Sequence, residues 1–577
     1  MIAMIDFKRE IALAVEKAVP ELKLEEALRF LEQPPDRKLG DFALPCFKFS
    51  PLLKKSPQEI ALELEKKILL PKSVERMQAV GGFLNFFLKQ EVMISETLGN
   101  VLKEGKNFGK ARAGKAKKVM VEFVSPNTNK PLHVGHLRNA FLGESVCRMF
   151  EAQGFRPVRS ILVNDRGVHI CKSMLAYSKW GKGLTPKKAG KKPDHFVGDY
   201  YVMFSQKAAS EPKLEEEALE LLNKWEKGSK SVMQVWKKMN SWALEGFEST
   251  FKKIGIRFDK EYFESKIYKG GKQIVLSGLK KKVFEKDDTG AVIARLQAHG
   301  LTDKVLLRAD GSSIYITQDI FLAKKKFEDF RLEESLYVVG NEQDLHFRQL
   351  FKVLEMLDFA FAKKCTHLSH GLVFLPEGKM KSREGKVVDA DDLIASLEEL
   401  ASLELQKRYP SIEKKELEKR KSAISLSALK FFLLKIEAQR DFTFNPEESI
   451  SFEGETGPYL LYTVARAKSI LRKAPKSLLS GKHDLSLLVK EREKEIASLL
   501  SKFPESLQQA LRNYSPHILC HFLISLSSAF NSYYHETQVL GAETPETAKA
   551  RLALVKAVEI VLENALDVLG IKVLEEM

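Results

Sequence analysis

Hydrophobic and polar positions divide the chain into three regions with different periodicity. Residues 1–112 combine helical spacing at 7–19 and 57–67 with a strand-like run at 83–88. This mixture predicts a small N-terminal α+β domain.

The middle region, 113–395, alternates strand-like and helical stretches. Besides an apolar run at 119–124, the clearest predicted strands are 158–163, 304–307, 313–317 and 335–339. Alternation of this kind favours a parallel sheet with crossover helices. A glycine- and lysine-rich stretch at 181–192 predicts a flexible basic loop within an insertion spanning about 181–255.

The last region, 396–577, shows only helical periodicity. Helices are predicted at 397–406, 422–437, 457–473, 485–501 and 548–569. No strand is expected here, so the pattern indicates an α-helical bundle.

Composition narrows the class of protein. The net charge of +16 favours a polyanionic partner, with a lysine-rich solubilising surface as the alternative. The five cysteines are scattered without a Cys-x-x-Cys pair, which argues against a structural zinc site and favours a reducing cytoplasm. No run of 18 apolar residues occurs and the N-terminus does not resemble a signal peptide, so no membrane association is expected.

The segment Pro-Leu-His-Val-Gly-His at 131–136 carries the most chemical information. It lies between the apolar run at 119–124 and helical spacing at 137–153, which places His133 and His136 at a strand-to-helix turn. A helix start offers free N–H groups to anions, and Gly135 leaves room for a phosphate. Two histidines that merely cap a helix are the alternative.

Neighbouring motifs extend this pattern: Ser-Pro-Asn at 125–127, Lys-Pro at 130–131, Asn-Asp-Arg-Gly at 164–167 and Gly-Lys-Met-Lys-Ser-Arg at 378–383. Together they resemble the arginyl-tRNA synthetases, a family of class I aminoacyl-tRNA synthetases. The resemblance runs from Gly-Asp-Phe-Ala at 40–43 to Met577. It implies a Rossmann-like class I catalytic core, a tRNA-contacting N-terminal domain and a C-terminal anticodon-binding bundle.

The resemblance assigns ATP to two segments. His133, Gly135 and His136 would contact ATP and the activated phosphate, and the second motif would contribute Lys379, Met380 and Lys381. Ser382 stands where class I enzymes usually have a second lysine, so either Lys130 or Lys381 supplies that charge. Solvated loop lysines are the alternative for Lys379 and Lys381. The chain lacks Gly-x-x-x-x-Gly-Lys-Ser/Thr, which disfavours a P-loop NTPase.

A substrate guanidinium calls for carboxylates in bidentate geometry. The resemblance implies that arginine is bound by Glu122, Asn127, Glu264, Tyr315, Asp319 and Gln343. The structural alternatives are a helix N-cap for Asp319, an exposed turn for Glu264, a solvent-facing strand position for Glu122 and loop-capping amides for Asn127 and Gln343.

RNA contacts are implied for the two outer domains. Tyr459, Tyr462 and Arg466 share one helix face and suit stacking on unpaired bases, unless they form a partly buried aromatic stripe. The family pattern adds Met577 near the anticodon, and Phe83 and Asn85 in the N-terminal domain.

The activity implied is arginine–tRNA ligation. Arginine and ATP, with Mg²⁺, would give arginyl-adenylate, and the arginyl group would pass to the 3′-terminal adenosine of tRNA(Arg). We expect a cytoplasmic monomer without a tightly bound metal or organic cofactor. Two alternatives remain open: a metallohydrolase with ligands among His133, His136, Asp165 and His169, and a non-catalytic RNA-binding relative.

Overall fold

A computed structural model of the chain describes residues 7–32, 34, 37–111, 113–374, 376, 388–481 and 483–577. The N-terminal region contains α1 Phe7–Ala18, α2 Leu24–Phe30, β1 Phe42–Pro45, α3 Ser50–Leu53, α4 Pro57–Lys67, β2 Val74–Val80, β3 Phe83–Leu88 and α5 Gln90–Glu104. The three strands form an antiparallel sheet in the order β1-β3-β2.

The middle region is built around a five-stranded parallel sheet. It contains β4 Lys118–Glu122, α6 Val134–Ala152, β5 Arg156–Val163, α7 Val168–Trp180, α8 Pro186–Ala189, α9 Pro193–Ala208, α10 Lys213–Glu226, α11 Lys230–Ile254, β6 Lys260–Phe263, α12 Glu264–Ile267, α13 Gly271–Lys280, β7 Glu285–Lys286, β8 Val292–Ala294, β9 Lys304–Leu307, α14 Tyr315–Phe330, β10 Glu334–Gly340, α15 Asp344–Met356, β11 Cys365–His370 and β12 Val373–Phe374. The sheet order is β11-β10-β4-β5-β6, and β7, β8 and β9 form a separate small antiparallel sheet.

The C-terminal region is mainly helical. It contains α16 Ala390–Arg408, α17 Lys414–Leu434, β13 Phe442–Thr443, α18 Pro446–Ser449, α19 Gly457–Lys473, α20 Lys476–Leu479, α21 Glu491–Arg512, α22 His517–Glu536 and α23 Pro545–Val568. In the part of the chain that the structure describes, no helix combines the length and apolar character required to cross a membrane.

Three local predictions are wrong. The stretch at 313–317 is not a strand: Ser313 makes one isolated bridge to Leu307, and α14 begins at Tyr315 because the Thr317 hydroxyl accepts a hydrogen bond from the N–H of Ile314 (3.1 Å). A strand does occur after residue 396, since β13 pairs in parallel with β12. The helix predicted at 485–501 starts only at Glu491, after a short 3₁₀ turn.

The basic stretch at 181–192 is also more ordered in its backbone than a plain loop. Thr185 caps the one-turn helix α8, and Gly190 ends it with a left-handed φ of 62°. The helices α9, α10 and α11 follow and pack on α7, around a core of their own that includes Phe196, Phe204 and Trp225.

Candidate active site

The carboxyl ends of the five parallel strands meet at one edge, where ligands bind in open α/β sheets. After β4 the chain turns sharply, because Val124 and Ser125 adopt left-handed φ values of 74° and 43°. It then runs beside the end of β5: Thr128 N donates to Asn164 O at 3.2 Å, and Asn164 N donates to Pro126 O at 3.0 Å. These bonds fix the segment that leads to His133.

The two histidines cap α6 reciprocally. His133 is the N-cap residue, and its Nδ1 accepts a hydrogen bond from Gly135 N at 3.2 Å. The Nδ1 atom of His136 accepts from His133 N at 3.1 Å, in the manner of a capping box. The helix-cap alternative is therefore correct in part, but each cap uses only one ring nitrogen.

Because both Nδ1 atoms accept hydrogen bonds, the remaining proton of each neutral ring is on Nε2. Burial lowers the pKa of His133 to about 4 and that of His136 well below its usual value, and Lys130 lowers both further. At neutral pH the pair therefore offers two uncharged Nε2–H donors. Such donors suit phosphate oxygens at a helix N-terminus.

Gly135 lies close against the His133 ring. A Cβ at this position would lie 3.0 Å from Cε1 and 3.1 Å from Nδ1 of His133. The two imidazole rings lie against each other with centroids 3.9 Å apart. A Cβ at Gly135 would therefore require the His133 ring to shift by a few tenths of an ångström.

Arg138 and Asn139, which follow His136 on α6, join this turn to the rest of the molecule. Arg138 is fully buried, and its guanidinium donates to backbone carbonyls of both the β11–β12 connection and residues 437–440. Asn139 accepts from Val124 N at 2.6 Å and donates to Val338 O at 2.7 Å. Its Nδ2 also lies 3.1 Å from Nε2 of His370, another histidine whose pKa burial lowers to about 4.

Two predicted arginine-binding carboxylates, Glu264 and Asp319, lie close enough to interact electrostatically. Glu264 begins α12 directly after β6 and is only 4% exposed, so the exposed-turn alternative is wrong. Burial raises its pKa to about 7, against the opposing effect of Arg166, whose Nη1 is 3.7 Å away. Asp319 contributes to the same rise, which places the two carboxylates in one electrostatic environment.

Asp319 is not a helix cap. It lies one turn after Tyr315 on α14, while the N-cap position is Ile314. Its Oδ2 is 2.7 Å from Nε2 of His346, a contact that orients the carboxylate. Tyr315 is 70% exposed at the start of the same helix face, so phenol and carboxylate both remain available to a ligand.

A buried aspartate holds the Glu264 turn in place. Asp165 is 3% exposed and accepts hydrogen bonds from the backbone N–H of Ser265 (2.8 Å) and from its hydroxyl (2.7 Å). Both carboxylate oxygens of Asp165 are thus occupied by the residue next to Glu264. His169, a further candidate ligand of the metallohydrolase hypothesis, contacts Tyr201 instead, with 3.4 Å between Nδ1 and the phenol oxygen.

These contacts argue against the metallohydrolase. Among the described residues, the one grouping with metal-ligand spacing is Asp194, His195 and Asp391, which includes none of the four residues proposed for it. The ammonium group of Lys192 lies 3.0 Å from Asp194 and 2.7 Å from Asp391, so a cation already occupies that grouping.

The other predicted arginine-binding residues differ in their surroundings. Glu122 does not face solvent: it is 5% exposed and pairs with the buried ammonium of Lys326 at 2.8 Å. Asn127 bridges Asn164 at the end of β5, and Gln343 is exposed in a 3₁₀ turn after β10. All three therefore lie at or next to the carboxyl edge of the sheet. Lys379, Met380 and Lys381 lie outside the described residues.

The predicted RNA-facing residues of α19 do share one partly exposed face. Arg466 donates to Asn531 Oδ1 at 2.5 Å and to the Tyr462 hydroxyl at 3.2 Å. Its guanidinium lies over the rings of Tyr462 (4.7 Å) and Tyr534 (4.6 Å). Tyr459 and Tyr462 also pack against the core, so the aromatic-stripe alternative describes their inner edges.

The remaining candidate RNA-binding residues are Met577, at the C-terminus, and Phe83 and Asn85, in the N-terminal domain. The carbonyl of Met577 accepts a hydrogen bond from the Tyr409 hydroxyl, which fixes the chain end beside the α16–α17 turn. Phe83 is 37% exposed and contacts Phe47 edge to face. Asn85 is only 4% exposed, so its side chain does not reach the free surface of the described structure.

Comparison with known proteins decides the family. A model described as "tRNA synthetases class I (R), catalytic domain" matches residues 97–446, a "DALR anticodon binding domain" matches 460–577, and an "Arginyl tRNA synthetase N terminal domain" matches 6–88. The chain belongs to the arginyl-tRNA synthetases. This membership confirms the predicted class I core, its two flanking domains and the ligase activity.

Relatives agree along nearly the whole chain. An arginine–tRNA ligase of Treponema denticola is 44% identical over 95% of this chain and 94% of its own length. One of Porphyromonas gingivalis is 42% identical over 93% and 94%. The solved arginyl-tRNA synthetase of Thermus thermophilus is 28% identical with a TM-score of 0.85, over 99% of this chain and 100% of its own.

The sequence motifs did not predict a role for several residues that shape the site. Arg138 and Asn139 closely follow the segment at 131–136, and their signal was a charged and an amide side chain directly before an apolar run at 140–142. His346 lies three residues after Gln343. No local signal indicated that His195, in the insertion, contacts Asp389, whose backbone pairs with His133.

Proposed function

We propose that this arginyl-tRNA synthetase activates arginine at the carboxyl edge of its parallel sheet. The helix-capping histidine pair carries the proposal, because His133 and His136 each use Nδ1 in the cap and keep the Nε2–H group outside the cap hydrogen bonds. These donors would bind the phosphates of ATP, and they would stabilise the charge that develops on the α-phosphate. Gly135 supports the pair, and Met380 contributes to the nucleotide site by family resemblance.

A cation must compensate for the missing second lysine of the class I motif. Lys130 is next to the histidine pair, and burial lowers its pKa, which is the behaviour of an ammonium partly withdrawn from water. Lys379 and Lys381 would supply charge from the second motif. Mg²⁺ would enter with the ATP phosphates, which is the way it usually binds at such sites. The nearby Asp389 carboxylate is a poor Mg²⁺ ligand, because it already caps α16 and contacts His195.

Arginine would bind with its guanidinium between Asp319 and Glu264. The guanidinium is planar and always charged, and Asp319 keeps one carboxylate oxygen free of its contact with His346. Tyr315 would cover the guanidinium, while Asn127 and Gln343 would reach the α-amino and α-carboxylate groups. Glu122 would act on the α-amino group of the substrate arginine, either by contacting it directly or through its ion pair with Lys326.

The tRNA would span the two flanking domains. Tyr459, Tyr462 and Arg466 offer aromatic and guanidinium surfaces for anticodon bases, with Met577 nearby. Phe83 would contact the RNA from the N-terminal domain, and Asn85 remains a prediction there. The substrate would be tRNA(Arg), and its 3′-terminal adenosine would receive the arginyl group. We further propose domain limits of 1–112, 113–395 and 396–577, a monomer, and a cytoplasmic location.

The decisive experiment is ATP–pyrophosphate exchange with each of the amino acids, in the presence of tRNA. Exchange should depend on arginine and fail with lysine, whose ammonium lacks the planar fork of the guanidinium. Exchange supported equally by lysine would contradict the proposed arginine pocket. Failure of every amino acid to support exchange would favour a non-catalytic RNA-binding relative.

A further inference from the structure

A polar cluster outside the proposed substrate pockets joins three separate elements. It consists of Lys192, Asp194 and His195 at the start of α9, Thr250 on α11, and Asp389 and Asp391 at the start of α16. Lys192 donates to Asp194 (3.0 Å), Asp391 (2.7 Å) and the Thr250 hydroxyl (2.6 Å). The Nε2 atom of His195 lies 3.3 Å from Asp389 and 3.4 Å from Asp391. We name this set the α9–α16 cluster.

We call the segment at 131–136, which contains His133 and His136, the nucleotide motif. Backbone hydrogen bonds join the cluster to it. His133 forms an isolated antiparallel bridge with Asp389. Ala390 N donates to Leu132 O at 3.0 Å, and Val134 N donates to Val388 O at 3.3 Å. The backbone of Asp389 thus pairs with His133 while its side chain points into the cluster.

The Asp389 carboxylate depends on His195. One oxygen accepts from the N–H groups of Asp391 (2.8 Å) and Asp392 (3.2 Å) and so caps α16. The other, Oδ2, is buried and has no hydrogen-bond partner in the described residues apart from its ionic contact with His195. A buried carboxylate oxygen without a compensating charge is costly, so His195 fixes where Asp389 can sit.

Charges in the cluster support a cationic His195. Three carboxylates, Asp194, Asp389 and Asp391, face one lysine. The contacts with Asp389 and then Asp391 raise the pKa of His195 to about 10. Burial alone would raise the pKa of Asp391, but bonds from His195 and Lys192 outweigh it and lower that pKa to about 2.

The helix that carries these cations packs directly on the segment before His133. A Cβ at Gly198 would lie 2.7 Å from Cδ of Pro131 and 3.7 Å from Cα of Lys130. Glycine at this place lets α9 approach the nucleotide motif closely. The insertion is therefore joined to this motif by a close backbone contact and by the α9–α16 cluster.

We infer that His195 and Lys192 are positioning residues for ATP: they hold Asp389, and through its backbone pairing they hold His133 in the orientation that binds phosphate. This inference rests on the proposed ATP role of His133. It assigns to the insertion a function in nucleotide binding that needs no direct contact with ATP. Loss of either cation should weaken the binding of ATP. It should leave the arginine pocket unaffected, because Asp319 and Glu264 lie on other elements.

The test measures aminoacylation by the full-length enzyme with ATP varied at saturating arginine and tRNA, and with arginine varied at saturating ATP. His195→Gln should raise the KM for ATP about 2- to 30-fold, the range typical of substitutions that act on a site through connecting residues. The KM for arginine should not change. His195→Arg, which restores the charge, should recover part of the loss.

Lys191→Gln is the matched control, since Lys191 pairs with Asp199 on the exposed side of the same helix (2.6 Å). It should leave both KM values unchanged. If His195→Gln does not fold, Lys192→Gln provides the same comparison. Equal rises in both KM values, or no recovery in His195→Arg, would show that the cluster only stabilises the fold and would overturn the inference.

His133→Ala, assayed in parallel, separates the inference from the function on which it rests. If His133→Ala raises the KM for ATP and His195→Gln does not, only the inference fails. If His133→Ala leaves the KM for ATP unchanged, the proposed ATP site itself is wrong.

Discussion

Replacing Asp319 with asparagine tests the arginine pocket most sharply, because the change removes charge and keeps shape. The asparagine Oδ1 can still accept the hydrogen bond that His346 now makes at 2.7 Å. A carboxylate and a guanidinium about 4 Å apart attract by about 4 kcal/mol at an effective dielectric constant of about 20. The Asp319 side chain is 26% exposed, so we reduce this to about 2–3 kcal/mol, typical of a hydrogen bond between charged groups.

That energy corresponds to a rise of about 30- to 150-fold in the KM for arginine. The KM for ATP and the melting temperature should change little. Asp329→Asn on the same helix is the matched control, because Asp329 bonds Tyr262 (3.1 Å) and Lys325 (3.1 Å) away from the pocket. An arginine KM in Asp319→Asn no higher than in Asp329→Asn would refute the role of Asp319.

Four further predictions follow from the same geometry. His136→Ala should reduce kcat for arginine activation about 100- to 1000-fold, since one positioned donor is lost, while tRNA affinity measured by filter binding stays unchanged. Glu264, whose pKa burial raises to about 7, should ionise as pH rises, so the KM for arginine should fall from about pH 6 to about pH 8 and lose this dependence in Glu264→Gln. Arginine-dependent pyrophosphate exchange should require tRNA, and strong exchange by RNA-free enzyme would contradict this. Tyr459→Ala and Arg466→Ala should lower kcat/KM for tRNA(Arg) about 10- to 100-fold, yet have little effect on an anticodon-altered tRNA; equal losses on both would mean that they only support the bundle.

The sequence predicted what depends on local pattern. The sheet strands at 158–163 and 335–339 and the helix after His136 followed from hydrophobic spacing, because each is a long and regular run. The strand predicted at 313–317 was wrong: its residues alternate as in a strand, but Thr317 helps to cap a helix. Short elements such as β13 depend on a distant partner and leave little local trace.

Contacts between distant parts of the chain could not be predicted in this way. The burial of Glu122 against Lys326 joins β4 to α14, across two hundred residues of sequence. The reciprocal capping of α6 by the two histidines could not be predicted without the path of the turn, although their spacing matched a capping box. The contact of His195 with Asp389 arises only because α9 packs on the segment before His133.

The most direct test of this account is a crystal structure of the enzyme with arginyl-sulfamoyl-adenosine, a stable analogue of the adenylate. We expect the sulfamoyl group within hydrogen-bond distance of Nε2 of His133 or His136. We also expect the guanidinium against the carboxylate of Asp319. A guanidinium bound elsewhere, or a sulfamoyl group remote from both imidazoles, would contradict the proposed site.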